Sequence, residues 1–247
     1  MGKLRMDGIT SIIFDLDSTL TNTHRYPIRA AQWLLSNLPD ITPELEEEYV
    51  RHLIGHYFQK IREIADGAPY IPAYNIVRDA MSISLTEIGQ KLDEEVVDEA
   101  TRIFRNLHVE LSTLYPGVKE LLEELSAKNC KLALITNSFE GNAEIITKKL
   151  GIYSYFTAIL DGAQYHGYKP MPEVFNYALS RLEELAENSL FVGDEYYADI
   201  SGAAQVGMKT VWVDVRGQSL EYAMEHYGKS VIPDLIISKI SELSNHL

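Results

Sequence analysis

The chain has 247 residues, 46% of them hydrophobic, enough for one large domain or a domain with an insertion around a sizeable core. Its formal net charge of −14 (22 Lys and Arg against 36 Asp and Glu) argues against nonspecific binding to nucleic acid or an anionic membrane. A single cysteine, Cys130, excludes an intrachain disulfide, no stretch is apolar for long enough to span a membrane, and residues 1–10 carry no signal-peptide core, so the expectation is a cytoplasmic enzyme or binding protein.

In chain order, Ile12–Phe14 is a β-branched and aromatic run that reads as a buried strand ending in Asp15 and Asp17. Residues 23–113 then break any strand–helix rhythm. Pro27–Leu38, Pro43–Ala65 and Asp93–Leu111 are predicted helices, Gly67–Tyr74 is a Pro-interrupted loop, and no strand is predicted among them. An insertion of roughly 90 residues is too long for a plain crossover. From Gly117 onward strands and helices alternate. Lys131–Thr136, Thr157–Leu160, Ser189–Gly193, Thr210–Val213 and Asp234–Ser238 are predicted strands; Val118–Lys128, Asn142–Leu150, Pro172–Ala186 and Ala198–Gln205 are predicted helices. Pro116 and Pro172 suit first helical turns, and Gly151 and Gly207 suit helix C-caps. The pattern predicts an α/β fold: a doubly wound, Rossmann-like parallel sheet with both faces covered, built from residues 1–22 and 114–247, and an all-helical insertion at 23–113.

Ligands of such sheets bind at the carboxyl ends of the strands, and four of these ends carry chemistry. Asp15 and Asp17 follow the first strand; two carboxylates there repel each other and are costly to dehydrate, which a cation, or a proton on one of them, would relieve. Thr136, Asn137 and Ser138 place hydroxyl and amide donors at a second strand end, suited to phosphate oxygens. Lys169, stiffened by Pro170 and Pro172, is able to neutralise carboxylates and hold a phosphoryl group. Asp194 and Asp199 end another strand and can offer oxygens to a hard cation such as Mg²⁺. Taken singly, each has an ordinary explanation as turn, cap or surface residues. Four in this order are improbable as coincidence.

The ordered pattern, DxDxT at Asp15–Thr19, Thr136-Asn137, Lys169-Pro170 and GDxxxxDxxGA at Gly193–Ala203, resembles the haloacid dehalogenase superfamily, in the subgroup with a helical cap inserted after the first motif. The resemblance implies a phosphatase. Asp15 is then the nucleophile that forms an aspartyl-phosphate, and Asp17 the acid and base. Thr136, Asn137 and Lys169 bind the phosphoryl group. Mg²⁺ is held by Asp15, the Asp17 backbone carbonyl and Asp194, with Asp199 either ligating it or holding a metal-bound water. Asp17 favours phosphatase over dehalogenase, because an alkoxide leaving group needs a proton and a halide does not. A phosphomutase would keep the same core residues. A phospho-acceptor signalling domain shares the acidic pocket but is about half as long and lacks a cap.

Expected partners are a small phosphorylated substrate, with no nucleic acid and no membrane; the sequence does not choose between monomer and homodimer. In the cap, Arg25, Tyr26, Arg29, Tyr70, Tyr74 and Arg78 are candidate substrate contacts, each with an ordinary alternative as an exposed Arg or a packed Tyr. Glu195, where the family often has a small polar residue, either reaches the metal or points into solvent, and the second reading is preferred. The Glu44–Glu48 run, residues 1–10 and the tail after Gly217 read as structural or solvated. His52 and His56, four apart on a predicted helix, have no third metal ligand near them in sequence and read as surface or packing residues.

Overall fold

A computed structural model describes residues 8–23 and 25–246, so most of the 1–10 segment lies outside the described residues. After β1 (Ser11–Phe14) and the short β2 (Thr21–Asn22) come four helices: α1 (Arg25–Leu35), α2 (Pro43–Ala65), α3 (Ala73–Glu87) and α4 (Glu94–Leu111). The chain returns through β3 (Thr113–Leu114) and continues as α5 (Val118–Ala127), β4 (Lys131–Ile135), α6 (Asn142–Lys149) and β5 (Ala158–Leu160). A short α7 (Gly162–Tyr165), α8 (Pro172–Leu182), β6 (Ser189–Gly193), α9 (Gly202–Gln205), β7 (Lys209–Val213), α10 (Leu220–Tyr227) and β8 (Leu235–Ile237) complete it.

Six strands form one sheet in the order β5-β4-β1-β6-β7-β8, with every adjacent pair parallel. The strands are apolar throughout because both faces are covered. Ile12 and Phe14 pack into the cluster under α5 and α6, whereas Ile13 points to the opposite cluster with Val174, Phe175 and Ala178 of α8. The chain winds from β1 outward through β4 to β5, then crosses to β6 on the other side. The β1 carboxyl end is therefore the topological switch point.

The four inserted helices bury a cluster of their own, including Leu34, Tyr49, Leu53, Ile64, Ile76, Met81, Val97 and Phe104. Phe139 and Tyr168, from loops beside the sheet, enter the same cluster, so the inserted helices, here called the cap, pack directly against the core. Tyr57, Tyr70 and Arg105 of the cap add hydrogen bonds to Asn137 O, Glu140 Oε1 and Glu140 O at 2.7, 2.9 and 2.8 Å.

The structure corrects several sequence expectations. Helix α3 was not predicted. Its flanking residue Pro72 offers no side-chain cap, and the first helical N–H, of Ala73, instead donates to Glu140 Oε1 at 2.7 Å across the domain boundary. A carboxylate there suits the helix dipole. The insertion is also bounded by strands: β2 and β3 pair antiparallel, Thr21 with Leu114 and Asn22 with Thr113, as a ribbon under the cap. Helix α1 stops at Leu35 rather than Leu38, where Ser36 Oγ and Asn37 Nδ2 donate to Trp33 O at 2.7 and 3.0 Å and take up a terminal carbonyl. Helix α8 ends at Leu182 because Glu183 turns to φ 54°. Pro116 precedes the N-cap Gly117 of α5 instead of opening the helix. The segment before α9 is a π-helical turn, Tyr196–Ser201.

Candidate active site

Register brings the predicted residues together. Phe14 pairs with Leu134 on one side and Val192 on the other, so Asp15 emerges between Thr136 and Asp194. Asp15 N still donates to Val192 O (2.9 Å), which anchors the nucleophile candidate to the sheet. Beyond it the chain folds back at once. Leu20 N and Thr21 N both donate to Leu16 O at 3.0 and 2.9 Å, and Ser18 N donates to Thr21 O at 2.8 Å. Ser18 adopts φ 65°, a conformation that costs an L-residue about 1–2 kcal/mol and is held here by those bonds.

Asp15, Asp194 and Asp199 are 6%, 6% and 0% exposed, and one carboxylate oxygen from each lies within 4.8 Å of the others. Lys169 Nζ donates to Asp15 Oδ1 at 2.6 Å and to Asp199 Oδ1 at 2.7 Å. Arg216 Nη2 donates to Asp194 Oδ2 at 3.1 Å. Asp15 Oδ2 is buried and has no hydrogen-bond partner among the described residues. Burial pushes the Asp15 carboxyl up to about 8; Lys169 opposes this, and Asp199 and Asp17 add to it. Burial also raises Asp194, with Asp15 and Glu195 adding their repulsion. For Lys169, burial works against the charge, but Asp15 and Asp199 overcome it and raise the ammonium above its ordinary value.

Two glycines let these elements approach. A Cβ on Gly193 would stand 2.2 Å from Asp199 Oδ2, so only glycine lets Asp199 reach the end of β6. A Cβ on Gly202 would meet Phe175 at 2.6 Å and the Pro170 Cα at 2.9 Å; its absence lets the helix start close against the Lys169-Pro170 turn, whose peptide is cis. Asn137 clamps that turn. Its Nδ2 donates to Lys169 O (3.0 Å) and its Oδ1 accepts from Lys169 N (2.8 Å). The side chain expected to touch phosphate is thus committed to holding the lysine.

Asp17 is gripped at both oxygens. Thr136 Oγ1 donates to its Oδ2 at 3.4 Å, and His108 Nε2 lies 2.7 Å from its Oδ1. His108, fully buried near the end of α4, has no counterpart among the sequence expectations, because its partner lies 91 residues away. Asn142 fixes its tautomer. The Asn142 amide is oriented by Arg105, which donates to its Oδ1 (3.4 Å) and accepts from its Nδ2 through Arg105 O (2.9 Å). That Nδ2 also donates to His108 Nδ1 at 3.1 Å, leaving Nε2–H to donate to Asp17.

Of the six cap candidates, Tyr26 reaches this region. Its ring lies 4.7 Å from that of His108, and burial, then Asp17, raises its hydroxyl well above the ordinary range. Tyr70 binds Glu140, Tyr74 donates to Asp98 O at 3.2 Å, and Arg78 pairs with Asp98 and Glu94 within the cap. Arg25 and Arg29 are exposed. Glu195 does not stand in open solvent: it is half-buried, and burial, then Asp199, pushes it to about 7. Its backbone N–H donates to Asp199 Oδ2 at 3.0 Å.

The family model for haloacid dehalogenase-like hydrolases matches residues 12–213, and the chain belongs to that family of enzymes. A phosphoglycolate phosphatase from Vibrio parahaemolyticus is 30% identical, with 97% of this chain and 96% of that one covered. The pyrophosphatase PpaX of Bacillus mycoides is 27% identical, with 95% of each covered. Among solved structures, the HAD-hydrolase YfnB from Bacillus subtilis, bound to magnesium, aligns with a TM-score of 0.77 at 23% identity over 96% of this chain and 97% of that chain, which shows the shared fold.

Proposed function

We propose that the protein is a Mg²⁺-dependent phosphatase that hydrolyses a small phosphate monoester through an aspartyl-phosphate on Asp15. The observation that carries this reading is the Asp15 carboxylate at the switch point, with one oxygen on Lys169 and the other buried without a partner beside Asp194 and Asp199. Three crowded carboxylates and an orphaned oxygen are a donor set that fits a hard divalent cation. Asp15, Asp194, Asp199 and the Asp17 backbone carbonyl would hold Mg²⁺, which would supply charge neutralisation between phosphate and nucleophile.

The chain's own groups then divide the reaction. Asp15 attacks phosphorus as the bond to the leaving oxygen breaks, and Asp17 delivers a proton to that oxygen. Asp17 next takes a proton from the water that attacks the aspartyl-phosphate; the bond from phosphorus to the Asp15 oxygen breaks and phosphate leaves. Thr136 and Lys169 hold nonreacting phosphate oxygens, with Asn137 keeping Lys169 in place. His108 keeps Asp17 aimed when the Thr136 hydroxyl turns from it to the phosphate. Asp15, Thr136 and Lys169 are buried as they stand and Asp17 is only partly exposed, so residues 23–113 act as a cap that opens to admit substrate and closes to exclude water.

The phosphoglycolate phosphatase, the pyrophosphatase and a glyceraldehyde 3-phosphate phosphatase from Methanocaldococcus jannaschii, 26% identical over 235 residues, support small phosphorylated metabolites as the substrate class. A 2-haloacid dehalogenase from Pseudomonas syringae, 27% identical with a TM-score of 0.66, raises the second reading. The firmly oriented Asp17 favours the first, since a departing halide needs no proton. A cytoplasmic setting with no nucleic-acid or membrane partner belongs to the same proposal. It is supported by the net charge of −14 and by the lack, among the described residues, of a helix long and apolar enough to cross a membrane. The test is a panel of phosphate esters and 2-haloacids assayed with Mg²⁺ and with EDTA. Phosphate release that stops on chelation is expected; halide release with no phosphatase activity would reverse the choice.

A further inference from the structure

Away from the carboxylate cluster, three metal-ligating side chains converge on the cap. His52 and His56 are one turn apart on α2, and Glu87 is the last residue of α3. His52 Nδ1 lies 2.7 Å and His56 Nε2 2.8 Å from the same oxygen, Glu87 Oε2. The three ligand atoms lie within 4.8 Å of one another. Glu87, 31 residues beyond His56, is the third ligand that the local sequence did not show. It arrives because α2 and α3 pack side by side around Leu53, Ile64, Ile76 and Ala80.

Glu48 Oε1 stands 3.6 Å from His52 Nε2, on the side away from Glu87, too far for a hydrogen bond but near enough to add negative charge beside the cluster. The side chains are 31%, 24% and 38% exposed, so an ion can reach them from solvent.

We propose that His52, His56 and Glu87 form a transition-metal site that clips α2 to α3, taking Zn²⁺ or a neighbouring ion such as Co²⁺ or Ni²⁺. Two imidazoles and one carboxylate suit these borderline ions, and three protein ligands leave a fourth tetrahedral position to solvent. The all-oxygen cluster at Asp15 suits Mg²⁺ instead, so ligand chemistry sorts the two sites. Residue 57 follows directly on the second histidine, and its hydroxyl bonds Asn137 O, so an ion here would stiffen the helix that touches the catalytic loop. This inference stands apart from the choice of substrate.

The test is Co²⁺ titrated into the full chain in excess Mg²⁺, followed by visible absorption, stoichiometry and thermal melting. One equivalent with a tetrahedral spectrum and a raised Tm is expected, and it should persist in Asp194→Asn. His56→Ala and Glu87→Gln should lose it while their metal-free circular dichroism matches the parent. Absence of that equivalent in the parent, its loss in Asp194→Asn, or undiminished binding in His56→Ala would overturn the site; His56→Gln serves if the alanine variant fails to fold.

Discussion

The sheet core and the helical cap each bury an apolar cluster, yet they treat charge in opposite ways. The core withdraws Asp15, Asp194, Asp199 and Lys169 from water at a single point, each 6% exposed or less. The cap keeps its ion pairs outside, as in Arg78 with Asp98 and Glu94, Arg102 with Glu99 and Lys60 with Glu63. Such surface pairs contribute about 0–1 kcal/mol. What the cap sends toward the reaction is hydroxyls, rings and one imidazole, from Tyr26, Tyr57 and His108. Like charges crowded in a dry site oppose folding and need a ligand to relieve them. On the proposed function, chemistry belongs to the core and the cap sets the boundaries within which it occurs.

The largest effect should come from removing the core's nucleophile. Asp15→Asn should lower kcat on nitrophenyl phosphate by at least about 10⁴-fold, and acid quenching should trap no phosphoenzyme. Normal turnover would move the nucleophile elsewhere and dissolve the contrast.

The next largest tests whether the cap reaches into the chemistry. Asp17→Asn should cost about 10²–10⁴-fold. His108→Ala, which removes only the group that aims Asp17, should cost about 10-fold in kcat on alkyl phosphates and less on nitrophenyl phosphate, whose leaving group needs little protonation. His108→Gln, which keeps a donor, should recover part of the loss. Equal losses on both substrates would reduce His108 to a packing residue.

A third measurement weighs the buried charge itself. With no metal bound, burial pushes the folded-state Asp15 carboxyl up to about 8 from an ordinary 3.8. Between those values the folded chain holds a proton that the unfolded chain has released. Stability should fall as pH rises through that window, with Glu195, pushed to about 7, acting in the same direction. Tm in EDTA should therefore drop from pH 5 to pH 8 (about the span of these pKa values), and Mg²⁺ should restore it most at the alkaline end. A rising Tm in EDTA would contradict the assigned burial.

The smallest effect concerns the boundary. Tyr57→Phe loses one hydrogen bond to Asn137 O, worth about 1 kcal/mol. It should shift kcat/KM about fivefold, by amounts that differ among esters. A uniform shift would place Tyr57 with the core machinery.

The same division explains what the chain discloses before it folds. Ile12–Phe14 and Ser189–Gly193 are continuous apolar runs because both sheet faces are covered, and whatever follows such a strand must lie at the sheet's edge. Asp15, Thr136 and Asp194, each directly after a strand, were therefore legible as neighbours, whereas Lys169 follows β5 only beyond α7 and was legible from its Pro-stiffened turn and its place in the motif order. Cap contacts depend on packing between distant segments. Helix α3 takes its N-terminal acceptor from Glu140, 67 residues on. The Asp17 contact of His108 spans 91 residues, and Arg78, which resembles a ligand-binding arginine, is claimed by Asp98. No local pattern announces such pairs.

The ribbon of β2 and β3 has a consequence for how this enzyme can vary. Its pairs hold Asn22 opposite Thr113, so residues 23–112 leave and re-enter the core through a gap one strand spacing wide. To the core, the whole insertion is a loop already closed. Doubling the length of a flexible closed loop adds only about 0.6 kcal/mol of closure entropy. Joining the two strands by a two-residue turn would leave an ordinary hairpin, with Phe139 and Tyr168 uncovered. Genetic exchange at these two points can thus alter what stands above the carboxylates without disturbing the sheet that aligns them.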